Sequence, residues 1–468
     1  MPPLKRGQLV DLDIEKFADK GKSLARLDGY VVFVRGAVPG DRVRAYVYRA
    51  KKSYADAAID TLMHASDLRT TPRCRYASTC GGCKWQHVDY AAQLDAKRQS
   101  VAEAFQHHSA FADVTVHPTI GADPVYRYRN KMDFDFSADR WLTPEEIDTG
   151  DDFDTDFALG LHVPGNFFKV LDLQECHLPE DVTQRLVNGI RDFVKAREWA
   201  AWDIRNQKGF LRHLVIRTGT NTGDCMVNLV TYGYDRERME AFGTFLQEEF
   251  PEVTTFVHTS HTGKSQNPEG EERVLFGPGV IHDTIGDYRF RISPSAFFQT
   301  NTTQAETLYN IARDFADLQP TDRVYDLYCG AGTISLFVSE HVAHVVGVEM
   351  NAAAIADARA NADLNEVDHC TFVSSPSRKA LTDDFVAEHG RPDVLLVDPP
   401  RAGLHKDVVK QIASVAPERF VYVSCNPQTQ VRDLDRLSDA YRLEAVQPVD
   451  MFPHTPHIET VARLRRKT

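Results

Sequence analysis

The stretch VYDLYCGAGTISLFVSE, residues 324–340, decides the fold of the C-terminal part of the chain. Its apolar start predicts a buried strand, its glycines a turn, and the residues after them a helix. Strand-like runs followed by helix-like runs recur from residue 293 onwards, as in HVVGVEMNAAAIADARANADL, residues 344–364. Such alternation predicts a doubly wound parallel sheet with helices on both faces. We therefore expect an α/β, Rossmann-like domain at residues 291–468.

The glycine turn at Gly330 and Gly332 is a candidate ligand site, because glycine lets the backbone approach a ligand closely. Glycine turns that only pack a helix have the same pattern. Glu349 favours a cofactor, since it ends the next predicted strand, where a carboxylate can accept both hydroxyls of a ribose. NAD-binding loops have a third glycine, which is missing here at that spacing. S-adenosylmethionine (SAM) carries no phosphates and therefore fits this turn better.

Two further polar residues are expected beside this turn. Asp398, in Asp398-Pro399-Pro400-Arg401, follows a predicted strand, and the two prolines make the loop rigid. An aspartate there can orient a substrate base or the methionine part of SAM. Amino methyltransferases place an aromatic residue where Arg401 stands, so a different acceptor atom is indicated. Gln299 precedes the predicted sheet and is expected to cap the cofactor.

A cysteine stands at the end of another predicted strand of the same sheet. In VYVSCNPQTQVRD, residues 421–433, the apolar run delivers Cys425 into a loop that precedes a helix. Open α/β sheets place their chemistry at the carboxyl ends of parallel strands. Cys425 is therefore a candidate nucleophile, although a buried and inert cysteine has the same local pattern.

Three other cysteines form a separate motif, Cys74-x5-Cys80-x2-Cys83. Thiolates at this spacing can surround one metal ion or cluster, and Gly81-Gly82 allows the chain to fold back. Cys176 is the best candidate for a fourth ligand. Zinc and an iron–sulfur cluster are both compatible with four thiolates. Four cysteines would close the site, which favours a structural or RNA-positioning role over redox chemistry.

The N-terminal region, residues 1–66, is predicted to be a small β-domain. Short β-rich runs alternate with turn signals at Asp28-Gly29 and Pro39-Gly40, a pattern typical of an OB-like barrel. Lys51, Lys52 and Tyr54 add a basic and aromatic cluster suited to phosphate and base contacts. A purely structural barrel is the alternative.

Residues 67–290 are predicted to form a central, mostly antiparallel β-domain with helices at residues 85–115 and near 181–197. Residues 126–131 interleave aromatic and basic side chains on a predicted strand, which suits RNA contact or a solvated strand equally. We expect a solvated loop insertion, without function, at the acidic stretch 145–156, and another exposed loop or hairpin tip at residues 261–274.

Composition limits the classes of protein that the chain can represent. The sequence has no run of about 18 apolar residues, so no membrane span is predicted. Its start lacks the apolar core of a secretory signal, and we therefore expect a cytoplasmic protein. The net charge of -13 argues against general coating of nucleic acid. Residues 1–98, however, carry a balance of +7 and the remainder -20, which weakly favours a local site for a polyanion.

Six motifs in a fixed order carry a family resemblance. PSAFFQTN, DLYCGAGT, VVGVE, DPPRAG, SCNPQTQVRD and MFPHTPHIE occur in this order over residues 293–459, and together they resemble the SAM-dependent RNA uracil-5 methyltransferases. The pattern GKSLARLDGYVVFVRGAVPGDRV, residues 21–43, resembles a TRAM domain. With the cysteine pattern, the chain resembles the subgroup that carries a 4Fe-4S cluster and modifies 23S ribosomal RNA.

The resemblance implies a role for individual residues. Cys425 matches the family nucleophile and Glu459 the family base. The implied SAM contacts are Gln299, Tyr328, Gly330, Thr333, Glu349 and Asp398, and the implied cluster ligands are Cys74, Cys80, Cys83 and Cys176. Two positions depart from the family: Thr333 stands where some members have Asn, and Pro376 stands where many members contact the adenine, a role that Ser375 is a candidate to fill.

The expected function is methyl transfer from SAM to C5 of a uridine in 23S ribosomal RNA. The target base is expected to leave its stack and enter the site, and the protein to act as a monomer. Three alternatives remain open: a transfer-RNA uracil-5 methyltransferase with the same mechanism, a non-catalytic RNA-binding assembly factor, and a cluster-based redox protein.

Overall fold

The computed structural model describes residues 3–166 and 168–467, and its first strands form one β-domain. They are β1 (Leu9–Asp13), β2 (Lys16–Ala18), β3 (Lys22–Leu27), β4 (Tyr30–Arg35), β5 (Arg42–Ala50) and β6 (Tyr54–His64). Their order is β1-β5-β6-β4-β3-β2, with β4 and β6 parallel and the other pairs antiparallel. In β5 buried Val43, Ala45 and Val47 alternate with exposed residues, so one sheet face forms the core. The predicted N-terminal β-domain is confirmed.

The next two elements pack on the C-terminal sheet. Helix α1 (Tyr90–Gln106) begins where the Asp89 side chain accepts hydrogen bonds from two backbone N–H groups, and β7 (Thr115–Val116) follows it. Val101 and Phe105 of α1 lie in the same buried core as residues of the C-terminal sheet. The helix is shorter than the predicted stretch of residues 85–115.

The central sheet is mostly antiparallel, as predicted, with the order β15-β14-β13-β12-β8-β10-β11-β9. Only β13–β14 and β9–β11 are parallel pairs among the described strands of this sheet. Its elements are β8 (Lys131–Ser137), β9 (Arg140–Trp141), α2 (Pro144–Thr149), β10 (Ala158–His162), β11 (Val170–Asp172), α3 (Asp181–Ala196), β12 (Leu211–Thr218), β13 (Cys225–Thr231), α4 (Arg236–Glu249), β14 (Thr255–Ser260) and β15 (Glu271–Phe276).

Two local predictions for this region are wrong. Residues 126–130 are not a strand, because Arg127 has a φ of 59° and β8 begins only at Lys131. The acidic stretch 145–156 begins with α2 instead of a loop, since Thr143 and Glu146 form a reciprocal capping box around Pro144. The loop between the antiparallel strands β14 and β15 is the predicted hairpin tip, although residues 271–274 belong to β15.

The hairpin β16 (Ile281–Ile285) and β17 (Tyr288–Ile292) leads into the C-terminal sheet. The remaining elements are α5 (Thr302–Ala316), β18 (Arg323–Leu327), α6 (Thr333–Ser339), β19 (His344–Glu349), α7 (Ala352–Leu364), β20 (Cys370–Ser374), α8 (Asp383–His389), β21 (Val394–Val397), α9 (Lys406–Val415), β22 (Arg419–Ser424), α10 (Pro427–Asp435), β23 (Tyr441–Val449) and β24 (Glu459–Arg466).

The strand order of this sheet is β20-β19-β18-β21-β22-β24-β23-β7. The five strands from β20 to β22 are parallel and are covered by buried cores on both faces, which confirms the Rossmann-like prediction. The strand β24 is antiparallel to β22 and β23, because the segment after β23 is too short for a crossover helix. The chain order reverses between β18 and β21, where such sheets bind ligands.

The predicted domain boundaries after residues 66 and 290 stay a proposal, because α1 and β7 pack on the C-terminal sheet although they precede residue 290. Within the part of the chain that the structure describes, no helix has the length and apolar character needed to cross a membrane.

Candidate active site

A cavity of about 1670 Å³ opens at the carboxyl ends of the parallel strands. Three of its wall residues stand at or just after a strand end: Glu349 is the last residue of β19, Asp398 follows β21 and Cys425 follows β22. The glycine turn and the segment before β24 complete this side of the wall. The structure therefore brings together residues that lie more than 100 positions apart in the sequence.

The turn after β18 has the backbone shape that its glycines allow. Gly330 and Gly332 have φ of 54° and 79°, and Tyr328 also has a positive φ. A Cβ at Gly330 would meet no atom within 4 Å, so this position leaves the wall open for a ligand. A Cβ at Gly332 would lie 2.9 Å from the Phe372 ring, so this glycine permits close packing of α6.

Two carboxylates frame the turn. Glu349 lies on the wall, where its Oε1 accepts the Asn351 N–H at 2.8 Å. Asp326 lies behind the turn, where Ser335 donates to its Oδ2 at 2.6 Å while its Oδ1 has no partner. Burial and the charge of Glu349 raise the pKa of Asp326 to about 7. The open space at Gly330 and the Glu349 carboxylate on the wall fit a ligand with hydroxyl donors, as SAM has, whereas Asp326 is not among the wall residues.

The other predicted SAM contacts differ in position. Gln299 lies on the wall, and Asn130 fixes its backbone by donating to the Gln299 carbonyl at 2.9 Å. Thr333 is not among the wall residues; its hydroxyl instead lies 3.0 Å from the Tyr309 hydroxyl. Pro376 is on the wall, as is Ser377. The possible substitute, Ser375, uses its N–H to bond the Glu349 carbonyl.

Strand pairing places Glu459 beside Cys425. Ser424 pairs with Thr460 across β22 and β24, and the Thr460 hydroxyl donates to the Ser424 carbonyl at 3.0 Å. Both Cys425 and Glu459 lie on the cavity wall. The antiparallel insertion of β24, which the sequence pattern did not predict, is therefore what joins these two residues.

The charged groups around Cys425 have opposite effects on the pKa of its thiol. Burial and the carboxyls of Glu459 and Asp398 raise the pKa of the Cys425 thiol to about 11, whereas Arg401 lowers it. Burial, with Asp398, also raises the pKa of Glu459 well above its usual value, and Arg401 again opposes this. Arg401 is thus the cation that favours the ionised forms of both groups.

Helix α10 holds Arg401 in this place. Asn426 caps α10 through its Oδ1, and its Nδ2 donates to the Arg401 carbonyl at 3.1 Å. The Thr429 hydroxyl donates to the same carbonyl at 3.3 Å. Two residues of the Cys425 loop and its helix therefore bind the Pro-rich loop directly, which fixes Arg401 relative to the cysteine.

The four cysteines of the predicted cluster lie on the wall of the same cavity: Cys74, Cys80, Cys83 and Cys176. The Gly82 N–H donates to the Cys80 sulfur at 3.4 Å, as is usual for cluster thiolates. Within residues 3–166 and 168–467, however, no three His, Cys, Asp or Glu side chains are arranged to hold a metal ion. The donor chemistry fits a cluster, but a metal site is not shown.

Several wall residues were not predicted as site residues. Phe297 lines the cavity although 72% of it is exposed, which is unusual for a phenylalanine. His457 lies on the wall with its Nδ1 3.5 Å from Arg401. Of the predicted RNA-contacting stretch, Tyr128 and Arg129 reach the wall. Their positions inside recognisable motifs were the available signal, but the motifs alone do not say which side chains face the cavity.

Comparison with known proteins shows which family the chain belongs to. Residues 280–467 match the model of the tRNA (uracil-5-)-methyltransferase family, and residues 3–59 match that of the TRAM domain. An uncharacterized RNA methyltransferase of Bacteroides thetaiotaomicron is 40% identical over 96% of this chain and 99% of its own length. The chain belongs to the SAM-dependent RNA uracil-5 methyltransferase family. A Porphyromonas gingivalis relative, also an uncharacterized RNA methyltransferase, is 41% identical over 98% of this chain and 100% of its own length.

One solved structure is similar to this protein over nearly its whole length. The Pyrococcus abyssi tRNA (uracil-54, C5)-methyltransferase, in complex with S-adenosyl-L-homocysteine, has a TM-score of 0.76 and 28% identity, covering 97% of this chain and 100% of that chain. S-adenosyl-L-homocysteine is what remains of SAM after its methyl group has left. The protein is accordingly an enzyme that uses SAM and acts on RNA.

Proposed function

We propose that the protein transfers a methyl group from SAM to C5 of a uridine in 23S ribosomal RNA, with Cys425 as nucleophile and Glu459 as base. The observation that carries this proposal is the pairing of Ser424 with Thr460, which sets Cys425 and Glu459 side by side on the cavity wall. The reaction requires one thiol and one base that reach the same uracil ring.

Uracil C5 is a weak nucleophile, and Cys425 overcomes this by covalent catalysis. Its thiolate adds to C6, which forms a C6–S bond and moves the electron pair of the C5–C6 double bond into an enolate. When bound, SAM supplies an electrophilic methyl group, which C5 then attacks. Glu459 removes the C5 proton, the double bond re-forms, and the C6–S bond breaks to return the Cys425 thiolate.

The charge pattern supports these roles. The carboxyls of Glu459 and Asp398 raise the pKa of Cys425, and Asp398 also raises the pKa of Glu459, so the charges of these neighbours oppose ionisation of the thiol. Arg401 favours ionisation of both Cys425 and Glu459. We infer that Arg401 supplies part of the stabilisation that the Cys425 thiolate needs before it adds to C6.

The proposal of 23S ribosomal RNA rests on the resemblance to the subgroup with a TRAM domain and four cysteines. The tRNA enzyme of Pyrococcus abyssi matches along the whole chain, which makes transfer RNA the second candidate. Tritium release from RNA that contains 5-tritiated uridine separates the two. We expect release from 23S ribosomal RNA and none from transfer RNA; release from transfer RNA alone would establish the second candidate.

We also propose that Cys74, Cys80, Cys83 and Cys176 hold a 4Fe-4S cluster. Four thiols on one wall and the Gly82 N–H directed at the Cys80 sulfur support this assignment. The test is the absorbance spectrum, with iron and sulfide analysis, of anaerobically purified protein. About four irons and four sulfides per chain are expected for this cluster type; zinc without sulfide would contradict it.

The target base has to leave its stack to reach Cys425. We propose that it enters the cavity from a loop or an opened junction of folded RNA, with Arg129 near the entry and the N-terminal β-domain holding RNA further away. The location of Arg129 on the wall and the exposed Phe297 support this path. A rigid duplex that contains the same uridine should therefore be a poor substrate.

A further inference from the structure

Residues 450–458 connect β23 to β24 and form part of the cavity wall. Phe452, Thr455 and His457 of this segment line the cavity, and Glu459 follows it. The segment contains no helix or strand. Hydrogen bonds within the segment, such as that from the Thr455 hydroxyl to the Phe452 carbonyl at 2.8 Å, and contacts with other elements therefore fix its shape, and with it the place of the Glu459 carboxyl.

The first anchor is a buried ion pair between α1 and the start of this segment. Lys97 Nζ lies 2.5 Å from Asp450 Oδ1, both side chains are fully buried, and Lys97 also donates to the Phe452 carbonyl at 3.2 Å. The Tyr90 hydroxyl donates to the other Asp450 oxygen at 2.9 Å. A buried charge pair that is also hydrogen-bonded strongly resists removal of either partner.

The second anchor lies between α1 and the middle of the segment. The Gln93 Oε1 accepts the His454 N–H at 2.9 Å, and the Gln93 Nε2 lies 3.3 Å from His454 Nδ1. The His454 carbonyl accepts the N–H groups of Lys84 and Trp85, each at 2.9 Å. The ring of Tyr126 stacks on that of His454 at 4.3 Å.

The residues that α1 contributes to these anchors lie on one face of the helix. Tyr90, Gln93 and Lys97 follow one another at intervals of three and four residues, which brings their side chains to the same side of α1. His454 has a φ of 66°, a backbone conformation that a non-glycine residue adopts only where its surroundings hold it. Gln93 forms its hydrogen bond with the backbone N–H of this same residue.

We propose that Tyr90, Gln93 and Lys97 are positioning residues that act through segment 450–458 to place Glu459 for proton removal. The inference rests on the proposed roles of Cys425 and Glu459. It assigns a part in the reaction to α1, which lies outside the region, residues 280–467, that matches the methyltransferase family model. Loss of an anchor is expected to impair the step that needs Glu459, and to spare addition of Cys425, which directly follows β22.

The test measures the two steps separately in Gln93→Ala. RNA that contains 5-fluorouridine reports addition and methyl transfer, because the fluorine at C5 cannot leave as a proton does and the covalent adduct remains. Ordinary RNA, in a single turnover, reports how fast the methylated adduct decays. We expect an unchanged rate of adduct formation and decay slowed by about 10- to 100-fold, as small misplacements of catalytic groups produce.

The matched control is Gln99→Ala, which truncates an exposed glutamine of the same helix whose side chain bonds only Asp95 within α1. It should behave as the wild type in both assays. Equal decay rates in Gln93→Ala and Gln99→Ala would overturn the inference. Equal slowing of formation and decay in Gln93→Ala would also overturn it, because that result indicates a general structural role.

A second variant addresses the ion pair. Lys97→Met leaves Asp450 charged and unpaired, and if that protein does not fold, Lys97→Met combined with Asp450→Asn removes both charges together. We expect slowed adduct decay in whichever variant folds, and normal decay would contradict the role of this anchor. If the wild type itself forms no adduct, the proposed function fails. If the wild type does and the α1 variants match it, only this inference fails.

Discussion

The proposed roles of Cys425 and Glu459 depend on two different strands, which bring both residues to the carboxyl edge of the sheet. The strand before Cys425 and its loop could be predicted locally from the run Val421–Val423 and the following Pro427. The neighbourhood of Glu459 could not, because it depends on antiparallel pairing of β24 with β22. Local patterns carry no information on which distant strand becomes a neighbour, so only the family motif indicated Glu459.

Replacement of Cys425 by alanine should abolish methylation, since it removes the thiol that adds to C6 in the proposed mechanism. We expect a loss of at least about 10³-fold in 5-methyluridine formation, as is typical when a covalent nucleophile is removed. SAM binding by calorimetry and the unfolding midpoint should stay at wild-type values, because the side chain is small and lies on the cavity wall. Near-normal methylation by Cys425→Ala would refute the assigned nucleophile.

Replacement of Arg401 by methionine should shift the pH dependence of kcat/KM. Arg401 lowers the pKa of both Cys425 and Glu459, so its removal raises both values and reduces the ionised fraction at any pH below them. The rising limb of the profile should move to higher pH. Part of the activity lost at pH 7 should therefore return at pH 9. A parallel loss at all pH values would contradict this electrostatic role.

At the scale of elements, the glycine turn offers a paired comparison. Gly330→Ala should fold with a cost of about 1 kcal/mol for its positive φ, because its new methyl group meets no atom within 4 Å. That group points into the cofactor side of the cavity, so SAM affinity should fall about tenfold or more. Calorimetric titration with SAM, alongside urea unfolding, measures both effects.

Gly332→Ala should give the opposite outcome to Gly330→Ala. Its Cβ would lie 2.9 Å from the Phe372 ring, so overpacking and the positive φ together should cost about 2–4 kcal/mol of unfolding free energy. If the two substitutions change SAM affinity and stability equally, the assignment of Gly330 to SAM binding and of Gly332 to packing is wrong.

Periodicity predicted most elements because strands β18, β19, β21 and β22 are short, largely apolar and buried runs. It failed at residues 126–130, where an aromatic and basic alternation mimics a strand but the positive φ at Arg127 prevents one. It also failed at Pro144–Thr149, where a capping box outweighs the acidic composition. In both places a specific backbone feature decided the structure.

At the scale of the whole molecule, the N-terminal β-domain should supply RNA affinity. Residues 1–66 contain 12 Lys and Arg against 8 Asp and Glu, in a chain whose net charge is -13. Lys51 and Lys52 are both exposed. Lys51→Ala combined with Lys52→Ala should weaken RNA binding about tenfold and reduce the salt dependence of the affinity, since each phosphate contact releases counterions. SAM binding should not change, and an unaltered salt dependence would contradict the assignment.

The presence of three large sheets could be predicted from changes in pattern along the chain, but the shared cavity could not. Cys80 of the N-terminal cysteine motif and Cys425 of the last α/β unit lie on the wall of one cavity because α1 and β7 pack against the C-terminal sheet. Their sequence separation hides this arrangement completely. Arg129, also outside the C-terminal sheet, reaches the candidate site where its N–H donates to the Leu178 carbonyl and the next residue, Asn130, donates its N–H to the Thr300 carbonyl, each at 2.9 Å.

Mapping of 5-methyluridine across ribosomal and transfer RNA tests the central claim most directly. The RNA should come from a deletion strain that carries either the wild-type protein or Cys425→Ala. The deletion should remove a 5-methyluridine from 23S ribosomal RNA, which the wild type restores and Cys425→Ala does not. Loss at a transfer-RNA site instead would contradict the ribosomal target, and no lost site in any RNA would contradict the proposed function as a whole.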